Sequence, residues 1–203
     1  PNFSTTLNST TVSITDPNIA NVTTYDSVFF NVPISIGGLI LDGLYQISSV
    51  TGTSSYTIEA SANATATVTN PVATNGATAA GNNILNFAAT PAWIADGMLI
   101  YDLTAPTSIP VGTTVSSTTG TTVVMGANAA GTGVGSGDSI TFVSLPIFET
   151  SSGSSLILVH LLNHGITTTG GPIFFRISTT ANGVTIFGHY VVITVADADT
   201  FTI

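Results

Sequence analysis

The chain has no cysteine and no lysine, and Arg176 is its single basic side chain apart from three histidines. Without cysteine no disulfide can support the fold, so stability has to come from packing and hydrogen-bonded ladders. One arginine cannot neutralise a row of phosphates, which argues against nucleic-acid binding and against attraction to anionic membrane surfaces. With ten acids the formal net charge is −9 over 203 residues. We therefore expect no nucleic-acid partner.

A long apolar run is also missing, although 43% of the residues are hydrophobic and the mean hydropathy is +0.52. The most apolar segment, residues 32–41, is interrupted by Pro33, Gly37 and Gly38. Because a spanning helix needs roughly 18 apolar residues in a row, we expect no membrane insertion. Apolar and polar residues alternate with period 2 from end to end, and no stretch has helical periodicity. This pattern predicts an all-β fold of small antiparallel sandwich-like or barrel-like modules.

An internal repeat is the most informative feature that is present. Residues 12–58 align without a gap on residues 157–203, an offset of 145 positions that carries Gly38 onto Gly183. Further matched pairs are Phe29-Phe30 with Phe174-Phe175, Gly43 with Gly188, Tyr45 with Tyr190, Val50 with Val195, and Thr57-Ile58 with Thr202-Ile203. The shared residues are turn glycines and apolar strand residues, so a packing unit has been duplicated. This favours a modular structural protein over an enzyme.

The repeat divides the chain into three modules. We predict a first β module over residues 1–70, called repeat 1, and a homologous module over residues 148–203, called repeat 2. Between them we expect a linker of small polar residues, 71–83, and a distinct β module over 84–147. Repeat 2 has no residues to match 59–69, so either a partner supplies its last strand or the natural protein continues.

Three dipeptides are predicted as turns. Asp42-Gly43 carries the strongest short hairpin signal, and the same geometry is expected around Phe187-Gly188 and at Asn182-Gly183. The predicted core residues are Phe29 and Tyr45 in repeat 1, and Phe174 and Tyr190 in repeat 2.

Repeat 2 carries a series of short motifs with a recognisable spacing. They are Asn163-His164-Gly165, Phe174-Phe175, Gly183-Val184-Thr185-Ile186, Gly188-His189-Tyr190 and Asp199-Thr200-Phe201-Thr202-Ile203. This series resembles a β module common in tailed-bacteriophage virion proteins. Repeat 1 fits less fully, because Asn18-Ile19-Ala20 replaces the Asn-His-Gly turn. The middle region is similar to another phage pattern, through Gly97-Met98-Leu99-Ile100 and the segment 109–115.

The resemblance implies a non-enzymatic structural component of a tailed-phage virion, such as a tail, neck, fibre or decoration protein. Such a protein acts through oligomeric assembly, with its own kind and with other virion proteins as partners, and is located in the virion. The family motifs contain no catalytic residues.

A binding module is the alternative function. It would be a receptor-recognising or glycan-recognising module of a phage fibre or of a bacterial surface adhesin, with a host surface glycan or receptor as partner. Trp93 and Tyr101 are the candidate residues for stacking on a ligand. A binder should expose these rings beside convergent amides or acids, whereas a scaffold should bury them.

Catalytic chemistry finds little support in the sequence. His160, His164 and His189 are the only candidate bases for a serine nucleophile, and no G-x-S-x-G elbow presents a serine. Asp197 and Asp199 could give two oxygens to Ca²⁺, which takes about six to eight. A pair of glycosidase carboxylates is the remaining enzymatic alternative. The glycine-rich residues 131–137 lack the lysine of a phosphate-binding loop. We expect no enzyme, no cofactor and no metal.

Overall fold

The computed structural model describes all 203 residues and is built of strands, turns and loops, as the alternation of the sequence predicts. It contains no helix long and apolar enough to cross a bilayer. The chain forms two compact units. The first unit consists of Phe3–Val68 and Leu145–Ile203 with Pro1, and the second of Thr69–Ser144 with Asn2. Both repeats therefore fold together in the first unit.

Repeat 1 forms a five-stranded sheet. Its strands are β1 (Asn2–Thr5), β2 (Thr11–Thr15), β3 (Ser27–Ile36), β4 (Leu39–Gly52) and β5 (Ser55–Glu59), in the order β1-β2-β5-β4-β3. The long strand β4 changes partner along its length: it pairs with β3 as far as Gln46 and with β5 from Ile47 onward. Because β4 changes partner at Ile47, it connects the β3–β4 hairpin to strands β1, β2 and β5, and the two parts share one apolar interior.

The second unit contains two three-stranded sheets. Its strands are β6 (Val72–Ala73), β7 (Ile84–Asn86), β8 (Leu99–Asp102), β9 (Val115–Thr118), β10 (Thr122–Met125) and β11 (Ser139–Val143). The sheets have the orders β7-β10-β9 and β6-β11-β8. Their buried residues include Leu85, Ile100, Val123, Met125, Ile140 and Phe142.

Residues 71–83, expected as a linker, are part of the second unit. Val72 pairs with Ile140 across β6 and β11, and the buried Thr78 forms a β-bridge with Val134. The small polar residues fit here because their hydroxyls bond to nearby backbone. The Thr74 hydroxyl, for example, donates to the Gly135 carbonyl at 2.7 Å. In a sequence, a buried threonine with a hydrogen-bonded hydroxyl cannot be told from a small polar residue of a loop. This explains why residues 71–83 were expected to be a linker.

Repeat 2 repeats this layout. Its strands are β12 (Ile147–Thr150), β13 (Ile157–His160), β14 (Pro172–Ala181), β15 (Val184–Val191), β16 (Thr194–Val195) and β17 (Thr200–Thr202). The orders are β12-β13-β17-β16 and β14-β15. The counterpart of β4 is divided into β15 and β16, since Val192 and Ile193 interrupt the strand.

The two repeats share strand register residue by residue at the offset of 145. Phe30 faces Gly43 as Phe175 faces Gly188, and Ile14 faces Tyr56 as Val159 faces Phe201. Both β3 and β14 have a bulge at the same place. The correspondence extends to β1 and β12, beyond the segment that the sequence aligns. The internal duplication is confirmed.

The predicted hairpin at Asp42-Gly43 is wrong. The β3–β4 turn lies at Gly37-Gly38, and Gly43 lies inside β4 with a φ of +88°. The same holds for Gly188 in β15, whereas the turn of repeat 2 is at Asn182-Gly183 as expected. Gly43 sits where β3 bulges by three residues against one, and a positive φ without a Cβ lets β4 follow that bend.

Of the predicted core aromatics, the two phenylalanines are shifted by one residue, whereas Tyr45 and Tyr190 pack against the core as expected. Phe30 packs between Phe3 and Tyr45, with ring centroids at 5.7 and 5.6 Å, and Phe29 is 50% exposed. The equivalent cluster of repeat 2 is Phe175 with Phe148 at 4.9 Å and Tyr190 at 5.8 Å, with Phe174 outside it. Neighbouring residues of a strand point to opposite faces, so only one phenylalanine of each pair can enter the core.

Candidate functional site

The only arginine of the chain joins the two repeats. Arg176 lies in the bulge of β14 and donates a hydrogen bond to the carboxylate of Asp42 on β4. Its guanidinium lies 4.5 Å from the ring centroid of Phe174 and 5.3 Å from that of Phe29. The two phenylalanines that stay out of the cores therefore flank the cation from both repeats. An arginine suits this place because its planar group can stack and pair at once.

Burial shapes the electrostatics of this pair. The Arg176 and Asp42 side chains are 27% and 19% exposed. Burial raises the pKa of Asp42, while the charge and the hydrogen bond of Arg176 act in the lowering direction. The hydroxyl of Tyr45 accepts a hydrogen bond from the Asp42 N–H at 3.4 Å, and burial raises the pKa of that hydroxyl. Asp42 is thus a buried acid that depends on one partner.

Backbone contacts extend the junction between the repeats. The Ser35 hydroxyl donates to the Asn163 carbonyl at 2.8 Å. Gly165, at φ +68°, lies so close to Gly38 that a Cβ on Gly165 would stand 1.8 Å from the Gly38 carbonyl oxygen. The β3–β4 turn of repeat 1 therefore meets the 163–166 loop of repeat 2. The equivalent turn of repeat 2 has no such neighbour, since nothing lies within 4 Å of a Cβ built at Gly183. The two repeats therefore use different surfaces in this contact, which makes it a head-to-tail (heterologous) contact.

His164 supports the loop that forms this contact. It is 1% exposed, its Nδ1 accepts the Ile166 N–H at 2.9 Å, and its ring meets Phe201 edge-on at 5.1 Å. Burial lowers the pKa of His164, although the Thr200 carbonyl and the carboxylates of Asp199 and Asp197 oppose the shift. A neutral imidazole that accepts a backbone hydrogen bond is a structural group here. The two other histidines lie elsewhere: His160 beside Glu149, and His189 beside Phe174.

Asp197 and Asp199 hold the β16–β17 connection together. Asp197 Oδ1 accepts the Asp199 N–H at 2.9 Å and the Thr200 hydroxyl at 2.8 Å, and these bonds lower its pKa. Asp199 Oδ1 accepts the Asn163 N–H at 2.8 Å. Both carboxylates thus bond to nearby backbone, and no group of three or more potential metal ligands is present.

Trp93 and Tyr101 are not brought together. Trp93 is half-buried and packs edge-on against Phe142, at 6.0 Å between ring centroids. Phe142 faces Ile100 in the register of β11 and β8, so Tyr101 and its partner Thr141 lie on the other face of that sheet. Tyr101 is 37% exposed. The two rings do not form one stacking platform.

An exposed aromatic ring with amide and acid neighbours occurs instead in repeat 1. Tyr25 is 93% exposed and Leu44 69% exposed, at a shallow groove of about 730 Å³ that Gln46 and Glu59 also line. Sequence reasoning missed this groove because Tyr25 lies in a turn region between strands, where no periodic pattern marks it.

The Arg176–Asp42 pair was also missed, but a signal for it exists in the sequence. Arg176 stands where repeat 1 has Asn31, and Asp42 stands where repeat 2 has Phe187. At each of these two positions one repeat has a charged residue where the other has an uncharged one, and the two charges are opposite. Comparisons with protein-family models, with curated proteins and with solved structures gave no match.

Proposed function

We propose that the chain is a non-enzymatic structural component of a tailed-phage virion, of the tail, neck, fibre or decoration kind, that acts through oligomeric assembly. The observation that carries the proposal is the position of the sole arginine. Arg176 is used inside the chain, between Asp42 and two phenylalanine rings. The surface left for partners holds acids but neither lysine nor a second arginine. Contacts between copies of the chain would then use apolar surface and hydrogen bonds rather than salt bridges.

Large apolar side chains on the surface support assembly. Those exposed by more than half are Tyr25, Leu44, Val111, Ile147 and Phe187. Single exposed apolar residues are normal, but charged side chains usually separate them, and only 5% of this chain is charged. Partner subunits would be copies of the chain and other proteins of the particle.

The virion part of the proposal rests on the motif resemblance. The Asn163-His164-Gly165 turn serves architecture in this chain: His164 is buried, and Gly165 lies against Gly38 of repeat 1 with no space for a Cβ. The family implies this kind of use, in which motif residues build modules and their junctions.

Sedimentation velocity at low and high ionic strength tests the proposal. We expect an oligomer with the same sedimentation coefficient at about 0.01 M and about 1 M salt, where screening lengths are ~30 and ~3 Å. A monomer under both conditions would contradict assembly. An oligomer that dissociates in salt would contradict apolar contacts.

A matched pair of variants sharpens this test. Leu44→Asp places a charge on the most exposed leucine of β4, and Thr51→Asp places the same charge on an exposed polar residue of the same strand that does not line the groove at Tyr25. If Leu44 lies in a subunit contact, the first variant should weaken the oligomer and the second should not. Equal behaviour of the two would place the contact elsewhere on the surface.

The second candidate function is a receptor- or glycan-binding module, and the groove at Tyr25 favours it. There an almost fully exposed tyrosine lines the same groove as Gln46 and Glu59, and an aromatic ring with an amide and an acid is the combination that a sugar site uses. Glycan-array binding that is lost in Tyr25→Ala would support this function. Turnover of a polysaccharide that is lost in Asp197→Asn or Asp199→Asn would contradict both candidates in favour of a depolymerase.

A further inference from the structure

In repeat 1 an extended segment covers the turn between β3 and β4. Residues 60–68, here called the strap, run from the end of β5 to the edge strand β1. The Thr65 N–H donates to the Gly37 carbonyl at 2.8 Å, and Thr5 and Val68 exchange two backbone hydrogen bonds at 2.9 and 3.0 Å. Ala64 and Val68 of the strap are buried. The strap therefore extends the sheet edge and closes the turn.

The fit between strap and turn is tight. A Cβ on Gly38 would stand 2.0 Å from the Thr65 Oγ1, and one on Gly37 would stand 3.0 Å from the Ala66 carbonyl oxygen. The Thr5 hydroxyl donates to that same carbonyl at 2.9 Å. Backbone and hydroxyl groups thus make the specific contacts, and the strap contains no charged residue.

In repeat 2 the equivalent place is bare. The turn Asn182-Gly183 is exposed, and nothing lies within 4 Å of a Cβ built at Gly183. Val184 is 42% exposed, whereas its counterpart Leu39 is 4% exposed. Phe148 is likewise half-buried where Phe3 is buried. The same surface is covered in one repeat and open in the other.

Strand register leaves hydrogen-bonding groups open at this surface. β12 is the edge strand of its sheet. Ile157, which faces Thr150, exchanges both of its backbone hydrogen bonds with Ile203 on the other side. The N–H and C=O of Thr150 therefore point away from β13, as those of Thr5 point toward Val68. An edge with such groups can accept a further strand.

We propose that the β14–β15 turn and the edge of β12 form a docking site for an extended, uncharged segment of a second polypeptide. That segment has the chemistry of the strap. It places a small residue over Gly183, donates an N–H to the Asn182 carbonyl and exchanges backbone hydrogen bonds with Thr150. An apolar residue in the place of Val68 covers Phe148. The site follows from comparing the two repeats and stands whether or not the chain belongs to a virion.

Asn182 is a departure from repeat 1, at the turn itself, that the occupant has to accommodate. It stands where repeat 1 has Gly37, and its φ of +47° keeps the turn geometry. Its Cβ requires the segment to lie a few tenths of an ångström further out than the strap does. The Asn182 amide can then bond to a carbonyl of the segment.

Two probes test the site on the full chain. The first is a synthetic peptide with the sequence of residues 61–69, titrated while backbone amide signals are followed by NMR. The second is the chain with residues 59–69 repeated after Ile203, which keeps the offset of 145, and in which a local concentration in the millimolar range overcomes weak affinity. In both we expect slower hydrogen exchange at the Thr150 amide, by at least about tenfold in the extended chain. The Ile157 amide, already bonded to Ile203, serves as the unchanged reference.

Matched variants separate docking from general stabilisation. Val184→Lys and Val191→Lys place the same charge on β15 at nearly equal exposure, 42% and 43%. Only Val184→Lys should abolish the protection of Thr150. A peptide with aspartate in place of its valine should not protect it either.

The outcomes decide the proposal. If the extended chain leaves Thr150 exchange unchanged, the docking site does not exist. If Val191→Lys acts like Val184→Lys, the segment binds elsewhere. If Thr150 is protected in the chain alone and loses protection on dilution, the occupant is a second copy of this chain, which overturns the assignment to a different polypeptide. Failure of the sedimentation test would instead contradict the proposed function and leave this result intact.

Discussion

Gly165 and Gly38 meet through their backbones, with no room for even one methyl group between them. A Cβ on Gly165 would stand 1.8 Å from the Gly38 carbonyl oxygen, and the backbone of Gly165 has a φ of +68°. Both features demand glycine, one for space and one for conformation. The junction of the repeats therefore depends on a residue that has no side chain.

Gly165→Ala should destabilise the first unit strongly, and Gly170→Ala is its control. Gly170 also has a positive φ, +84°, but nothing lies within 4 Å of its Cβ position. Alanine at positive φ costs about 1 kcal/mol, so Gly170→Ala should lose about that much. Gly165→Ala should lose roughly 3 kcal/mol or more, because backbone would have to move. Urea unfolding followed by circular dichroism measures the difference; equal losses would contradict the contact.

Arg176→Met should leave Asp42 buried without a counter-ion. A broken buried pair costs about 3–5 kcal/mol, and the partial exposure of this one reduces the expected loss to about 1–3 kcal/mol. Asp42→Asn in the same chain should restore part of the stability, since the unpaired charge is then gone. A double-mutant cycle on urea midpoints measures the coupling, and additive losses would count against the pair. Emission of Trp93, the sole tryptophan, checks that the second unit stays folded.

Phe30→Ala and Phe29→Ala should differ sharply although the residues are neighbours. Phe30 packs between Phe3 and Tyr45 in the core, and its truncation should cost about 3–4 kcal/mol. Phe29 is half exposed and contributes a cation–π contact with Arg176, so its loss should cost about 1 kcal/mol. Thermal unfolding of both variants checks this. The reverse ranking would mean that the register of β3 is shifted by one residue.

Stability should fall as the pH drops below 6.5, and His164 should be a cause. Its pKa is lowered in the fold, so above 6.5 the imidazole is neutral in both states and its contribution is fully present. Below pH 6.5 His164 binds a proton in the unfolded chain, whereas in the folded chain it binds one only when the pH reaches its lowered pKa. Between these two pH values the free energy of unfolding decreases. Protonation at Nδ1 would also break the bond from the Ile166 N–H.

One histidine variant isolates this effect. His164→Gln should flatten the pH dependence of the urea midpoint between about pH 7.5 and pH 5.5. The raised pKa of Asp42 acts in the opposite sense, because a carboxyl that binds its proton more tightly in the fold adds stability as the pH falls toward 3.8. Measurements above about pH 5 keep the two apart. A slope that survives in His164→Gln would assign it to another group.

The sequence predicts the duplicated β modules well because packing units leave periodic traces. Phe30, Gly43 and Tyr45 recur at a fixed offset as Phe175, Gly188 and Tyr190, and each trio has the same structural role. Alternation alone does not say which of two adjacent phenylalanines enters the core. A one-residue shift in register moves every side chain of a strand to the opposite face of the sheet. The sequence prediction therefore placed Phe29, rather than Phe30, in the core.

The site was harder to predict because it joins residues that share no local pattern. Asp42-Gly43 has the composition of a tight turn, yet β4 continues through it, since the bulge of β3 opposite needs a positive φ rather than a reversal. The partner of Asp42 lies 134 positions away. The contact of Gly165 with Gly38 leaves no mark at all beyond two glycines. Long-range contacts of this kind arise from how the two repeats pack, which no local pattern encodes.

The insertion of the second unit between the repeats has a consequence for synthesis. At about 5–20 residues per second, a ribosome makes Arg176 on the order of ten seconds after Asp42. Throughout that interval Asp42 has no counter-ion, and the β3–β4 turn is covered by the strap but not yet by the 163–166 loop, while Thr69–Ser144 can complete all of its strands. The nascent chain therefore exposes the Asp42 carboxylate and the side of the β3–β4 turn that faces Gly165, and translation of residues 163–176 ends that exposure.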